Sequence, residues 1–320
     1  MSLFSSWLAS PPPEAAIEIA ADHVSAAVIG ERGGSLVVQG YAAEPLPPGV
    51  VTPSLTATNI HNRSVVVSAL RTVLDRAGAR PRRVALAIPD LAAKVSLIRF
   101  DTIPARDEDL EQLVRWQVKK ASPFPIEDAA VTYSPGARAA DGSAEFVVVS
   151  ARRDVIAEYE GLCDELKIEP GLVDLATLCV VNLFLGGNVP EGDWLIVHLR
   201  PESTSIVIMR GADVMFFRNR AEGDEASIAD LVHQTAMYYQ DRLSGQQFSR
   251  VFLGGSGRVF DAVESARRSL EERLGASVEP IDPTKSAALT DRISATPDLM
   301  DVLAPLVGMA VRTRREAVTA

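Results

Sequence analysis

The sequence predicts an α/β fold made of two copies of one unit, three short strands followed by a helix and a strand, with an extra block set between the copies. Three observations carry this. β-branched runs and a helical stripe follow one another in that order near the start, the same order returns in the second half, and the segment between has strands and helices of its own. At 320 residues and 47% apolar composition the chain is long enough for more than one core.

In the first copy, Ala15 to Ala20, Val24 to Ile29 and Ser35 to Tyr41 read as a three-strand meander, turning at Glu31-Arg32-Gly33-Gly34. A proline-rich loop from Pro45 to Pro53 leads to a helix whose apolar positions are Val67, Leu70, Val73, Leu74 and Ala77, stopped by Gly78. Val84 to Ile88 reads as a buried strand. In the second copy the strands are Trp194 to Leu199, Thr204 to Met209 and Asp213 to Asn219. A helix from about Glu225 to Leu243 and a strand from Val251 to Leu253 follow. Such a duplicated unit fits the actin-like architecture, two ribonuclease H-like lobes facing a cleft.

The block between the copies, Lys94 to Pro170, has strands at Val95 to Phe100, Val131 to Ser134 and Phe146 to Val149. Its first helix, from Asp107, carries acids in the first turn and Lys119 and Lys120 in the last, as the helix dipole favours. Leu110, Leu113, Val114 and Val118 form one stripe of that helix, and Trp116 points away from it. The second helix starts near Asp154 and buries Val155, Ile156, Tyr159, Leu162, Cys163 and Leu166. The expected divisions are an N-terminal arm (1–12, with Phe4, Trp7 and Leu8), a first lobe (13–93 and 171–190), an inserted subdomain (94–170) and a second lobe (191–320).

Several function classes are excluded. A net charge of −10 with dispersed Lys and Arg argues against nucleic acid, and Arg312, Arg314 and Arg315 read as a solvated helix end. Cys163 and Cys179 read as small buried side chains of a reducing compartment. His23, His61, His198 and His233 show none of the spacings of a zinc or iron site, so no metal is expected. No apolar run is long enough to span a membrane, and the N-terminus lacks the pattern of a secretory signal.

More specific residues follow. Asp109-Leu110-Glu111-Gln112-Leu113-Val114-Arg115-Trp116, then Pro123-Phe124-Pro125-Ile126-Glu127, and Phe146 to Val149 running into Ser150-Ala151-Arg152-Arg153-Asp154-Val155, resemble the type IV pilus assembly protein PilM family. Leu172-Val173-Asp174, Gly254-Gly255-Ser256-Gly257 and a last helix from Leu303 to Arg312 extend the resemblance over most of the chain. It implies an actin-like fold with an inserted subdomain in the first lobe, a cytoplasmic location, and attachment to the inner membrane through the tail of a PilN-like protein. Pilus motor or platform proteins and further copies of the chain stand as open partner readings.

The superfamily grips nucleotide phosphates with one hairpin turn per lobe, each reading roughly Asp-x-Gly followed by Ser or Thr. Here the first turn reads Glu18-Ile19-Ala20-Ala21-Asp22-His23. The second reads His198-Leu199-Arg200-Pro201-Glu202-Ser203-Thr204, in which Pro201 removes an amide donor and Glu202 adds a negative charge. Glu18, Ala20, Asp22, His198, Arg200 and Glu202 therefore mark degenerate phosphate loops. Relatives carry a lid of several tens of residues before the helix that leads to the glycine run, and here it is reduced or missing. Gly254, Gly255 and Ser256 are the residual nucleotide-binding candidates, against the alternative of a turn that needs small residues to pack.

These features predict a non-catalytic scaffold, a pseudo-ATPase without cofactor or metal. The competing readings are an active actin-like ATPase using ATP and Mg²⁺, and a related secretion or division platform protein. The resemblance implies a peptide groove between the first lobe and the inserted subdomain, and Arg115, Trp116, Phe124 and Pro125 are expected to wall it, against the alternative that Trp116 packs on Phe124 and Pro125 within the subdomain.

Overall fold

A computed structural model describes residues 13–187, 189–221, 228–255 and 260–319. The N-terminal arm lies outside the described residues. The first meander is β1 (Ala15–Ile19), β2 (His23–Arg32) and β3 (Ser35–Pro45). Gly33 and Gly34 take the left-handed conformation between β2 and β3, as that tight turn requires. Helix α1 (Arg63–Ala77) is capped by the Asn62 side chain, which accepts from Val65 N–H at 3.3 Å, and ends on left-handed Gly78. Strand β4 (Arg83–Ile88) runs parallel to β1, so every residue of β1 is buried in mid-sheet.

The insert is a three-stranded antiparallel sheet, β5 (Lys94–Phe100), β6 (Ala129–Arg138) and β7 (Ala144–Arg152), in the order β5-β7-β6. Helix α2 (Asp107–Lys119) buries Leu110, Val114 and Val118 against Phe100, Phe146 and Val148 on one face of that sheet. Helix α3 (Arg153–Asp164) corrects the expected boundary of the insert. Its stripe of Val155, Tyr159, Leu162 and Cys163 lies in the core of the first sheet with α1, against which Val95 and Val149 of the insert also pack. The insert's own core therefore ends near β7. Strand β8 (Glu169–Leu175) adds parallel to β4.

Helix α4 (Ala176–Leu185) leads to the second meander, β9 (Asp193–Leu199), β10 (Ser203–Arg210) and β11 (Asp213–Ala221). Helix α5 (Ile228–Leu243) follows, and the expected helix start near Glu225 lies outside the described residues. Positions 222–227 are all that separates β11 from α5, too few for a lid of the expected size. Strand β12 (Arg250–Gly255) runs parallel to β9, then come α6 (Phe260–Leu274) and β13 (Val278–Pro280), giving a five-stranded sheet β11-β10-β9-β12-β13.

The expected second lobe, 191–320, does not stay on that sheet. Strand β14 (Ala287–Leu289) pairs in parallel with β3, so the first sheet has the order β14-β3-β2-β1-β4-β8. Helix α7 (Pro297–Thr319) lies with α4 in a core that both sheets share, where Ala16, Ala27 and Val38 meet Trp194, Ile196 and Val207. The two helices touch backbone to backbone, since a Cβ on Gly308 would stand 1.8 Å from the Cys179 carbonyl oxygen. The two sheets are thus wedged on a common helical layer, and their turns face each other above it.

Candidate functional site

The two turns expected to be degenerate phosphate loops are built alike. In the first, Ala20 N–H donates to the His23 carbonyl at 2.9 Å, leaving Ala21 and Asp22 at the tip. In the second, Arg200 N–H donates to the Ser203 carbonyl at 2.8 Å, leaving Pro201 and Glu202. Strand register makes Glu18 opposite Ser25 in one sheet equivalent to His198 opposite Ser205 in the other. Both turns are two-residue hairpins at equivalent places in their sheets.

Those side chains bind each other. The Arg200 guanidinium crosses from the second turn and donates to Glu18 Oε1, with both side chains buried. His23 lies beside the pair, its Nδ1 2.8 Å from Asp22 Oδ1 and its Nε2 3.7 Å from Glu18 Oε2. Burial would raise Glu18, but Arg200 and His23 outweigh it and hold its carboxyl below the usual carboxylate range. Burial would lower His23, but its contacts with Asp22 and Glu18 lift it to about 9. A guanidinium and an imidazolium therefore occupy the space between the turns together with two carboxylates. For Glu202, burial outweighs Arg200 and pushes the carboxyl up.

A second cross-sheet network, which sequence reading missed, stands on Asp90. This buried carboxylate follows β4 and accepts from Thr177 N–H at 3.0 Å, from the Thr177 hydroxyl, and from Ser205 Oγ at 2.6 Å. Thr177 Oγ1 in turn lies 2.7 Å from His198 Nδ1. Burial, with Arg200 nearby, holds His198 well below its ordinary value, so the ring is neutral and Nδ1–H serves as donor once the threonine proton faces Asp90. The only sequence sign was a polar residue directly after a buried strand, in Ile88-Pro89-Asp90.

The glycine run supports the packing alternative. A Cβ on Gly254 would come within 2.7 Å of Ile281 Cδ1, and one on Gly255 within 2.6 Å of Leu199 Cβ and 2.7 Å of the Leu199 carbonyl oxygen. Gly255 N–H is already bonded to Asp301 Oδ1 at 3.0 Å. Ser256 lies outside the described residues.

A groove of about 750 Å³ lies between the insert and the first sheet. Thr132 and Ser134 of β6 and Val147 and Val149 of β7 form one wall. Leu172 to Leu175 of β8, with Leu178 and Asn182 of α4, form the other. Among the described residues β6 and β8 are both sheet edges with no strand paired on the outer side, and Ala212 to Val214 at the start of β11 also line the groove. At the floor Asp174 accepts from Arg312 at 2.5 Å, and Arg312 also reaches Glu316 at 2.8 Å. The expected solvated end of the last helix is corrected here, because Arg312 turns inward to a buried acid.

The expected groove residues lie elsewhere. Arg115, Trp116, Phe124 and Pro125 belong to the α2 side of the insert sheet, and the groove is walled by the opposite side, since Phe146 and Val148 face α2 and Val147 and Val149 face away. Arg115 spends its guanidinium on the Ile126 carbonyl at 2.9 Å, and Ser122 Oγ donates to the Phe124 carbonyl at 2.7 Å. Both bonds fix the Pro123 to Ile126 turn. Trp116 is 58% exposed.

Comparison with known proteins decides the family. The sequence profile of the type IV pilus assembly protein PilM matches residues 16–242. The chain belongs to the PilM family. Among solved structures, a PilM–PilN type IV pilus biogenesis complex superposes on 95% of this chain and 99% of its own with a TM-score of 0.80, at 18% identity. A Bacteroides thetaiotaomicron protein with an actin-like ATPase fold and unknown function covers 98% of this chain and 99% of its own, with a TM-score of 0.52 and 10% identity. This PilM-family chain therefore has the actin-like fold, and its cleft is bridged by side chains of the two turns.

Two expectations follow. Arg200→Leu leaves buried Glu18 with His23 alone and lowers the unfolding free energy by about 3 kcal/mol, whereas Glu18→Leu with Arg200→Leu recovers most of that. Urea denaturation measures both, and a double variant no more stable than the single one contradicts the pairing. Because His23 is raised from 6.5 to about 9, its contribution is complete below pH 6.5 and is lost as pH rises through about 9. The difference in stability between the wild type and His23→Gln should shrink over that window, and a difference constant from pH 6 to 10 contradicts it.

Proposed function

We propose that this PilM-family chain is a scaffold of the type IV pilus inner-membrane platform. It works on the cytoplasmic side and holds the tail of a PilN-like membrane protein in an extended form without hydrolysing ATP. The observation that carries this is the groove between two unpaired strand edges. An extended peptide laid there can hydrogen-bond to β6 or β8 through its backbone and seat alternate side chains on the apolar walls. The structural relative with the TM-score of 0.80 is itself a PilM–PilN complex, which favours that class of occupant. Among the described residues no helix is long and apolar enough to cross a membrane, in keeping with attachment through a partner.

The scaffold reading is supported at the cleft by what the residues there would offer a nucleotide. A triphosphate with its magnesium needs backbone donors at both turns and a carboxylate free to hold the metal or its water. Arg200 and Glu18 are bonded to each other, Pro201 has no N–H, and Asp90 is saturated by Thr177 and Ser205. Burial also pushes Asp90 up, toward its neutral form. This donor set does not fit ATP and Mg²⁺.

The test is affinity for a PilN-like tail peptide, followed by fluorescence anisotropy. Thr132 and Ser134 are exposed on the groove side of β6, so Thr132→Arg with Ser134→Arg fills the groove without entering the core. At least about a tenfold loss of affinity is expected, with Trp116→Ala close to wild type. Unchanged affinity in the folded double arginine variant places the tail elsewhere.

A further inference from the structure

The tip of α2 carries the most specific sequence motif of the chain, yet the groove does not use it. The chain has 27 arginines but only five lysines, Lys94, Lys119, Lys120, Lys167 and Lys285. Three of the five meet at this tip. Lys119 and Lys120 end α2, and Lys94 Nζ donates to the Ala121 carbonyl at 2.6 Å. Trp116 stands among them, 58% exposed, with the Lys120 ammonium 3.5 Å from its ring centroid. Exposed Pro123 and Pro125 flank the half-buried Phe124 beside it. The acids of α2 lie mainly at its other end. Asp107, Glu108 and Asp109 form the first turn, about 18 Å away along the axis. The carboxylate nearest the lysines is Glu127, 4.0 Å from Lys119.

We propose that this tip is a docking surface for an anionic bilayer. The choice of occupant rests on chemistry. Protein interfaces are enriched in Trp and Arg and depleted in Lys, so a surface meant for an acidic protein would be expected to draw on the chain's abundant arginine. An exposed indole flanked by lysines is the ordinary composition of a bilayer interface, and here the Lys120 ammonium rests on the ring and donates to Gln117 Oε1 at 3.0 Å, at the surface where a lipid phosphate would meet it. The tip is rigid, because Arg115 and Ser122 fix the turn that carries Phe124, so little ordering is needed on contact. The surface lies on the side of the insert sheet opposite the groove, and the proposal does not depend on what the groove holds. It adds a direct lipid contact to the attachment through a partner.

The experiment is vesicle flotation of the full chain. Vesicles of phosphatidylethanolamine with about 30% phosphatidylglycerol are compared with phosphatidylcholine alone at low and high salt. Binding to the anionic vesicles alone, reversed by salt, is expected. Each lysine near such a surface is worth roughly fivefold in partition, so Lys119→Gln with Lys120→Gln lowers binding by about thirtyfold. Trp116→Ala weakens it further. All three side chains are exposed, so melting curves of the variants should match the wild type. Equal binding to both vesicle types, anionic binding unaffected by these variants, or capture of a polyglutamate peptide by the tip without vesicle binding overturns the proposal.

Discussion

The ion pair between Glu18 and Arg200 is the contact on which the rest of the cleft depends. It joins two hairpin turns that belong to different sheets, and both side chains are buried. Removing two charges from water is costly, and their attraction offsets that cost only with good geometry and further partners. Here His23, whose Nε2 lies 3.7 Å from Glu18 Oε2, and Asp22, 2.8 Å from His23 Nδ1, flank the pair. In this chain the turns are drawn together by their own side chains.

The bridge is effective because the sheets below it are already fixed. Helices α4 and α7 fill a core common to both sheets, and Gly308 lets their backbones approach where any side chain would collide. The layer beneath is thus wedged and the turns above are joined. The groove lies on this framework. The insert and the first sheet supply its walls, and the Asp174–Arg312 pair ties its floor to the last helix.

Much of this was legible in the sequence because it is local. The meanders follow from period-two apolar runs, α1 from its stripe and Gly78, and the exposure of Trp116 from its angle to Leu110, Val114 and Val118. The departure of Glu18, Ala20, His198 and Arg200 from the expected turn pattern is likewise read directly from the sequence. The rest depended on contacts between distant segments. Nothing near Arg200 names Glu18 as its partner, nothing near α3 says that its stripe covers the first sheet, and β14 joins β3 across most of the chain. Arg115 and Trp116 were placed at the groove because helix geometry shows which side chains share a face, while which side of a sheet a helix covers is a tertiary fact.

A nucleotide titration tests the self-bridged cleft most directly. A ligand that binds only the native state must stabilise it, so the melting temperature of the purified chain is followed with ATP or ADP and Mg²⁺ up to millimolar concentration. No shift is expected with either nucleotide. A saturable rise in melting temperature would contradict it, because the phosphates would then have found room and donors where Arg200 and Glu18 hold each other.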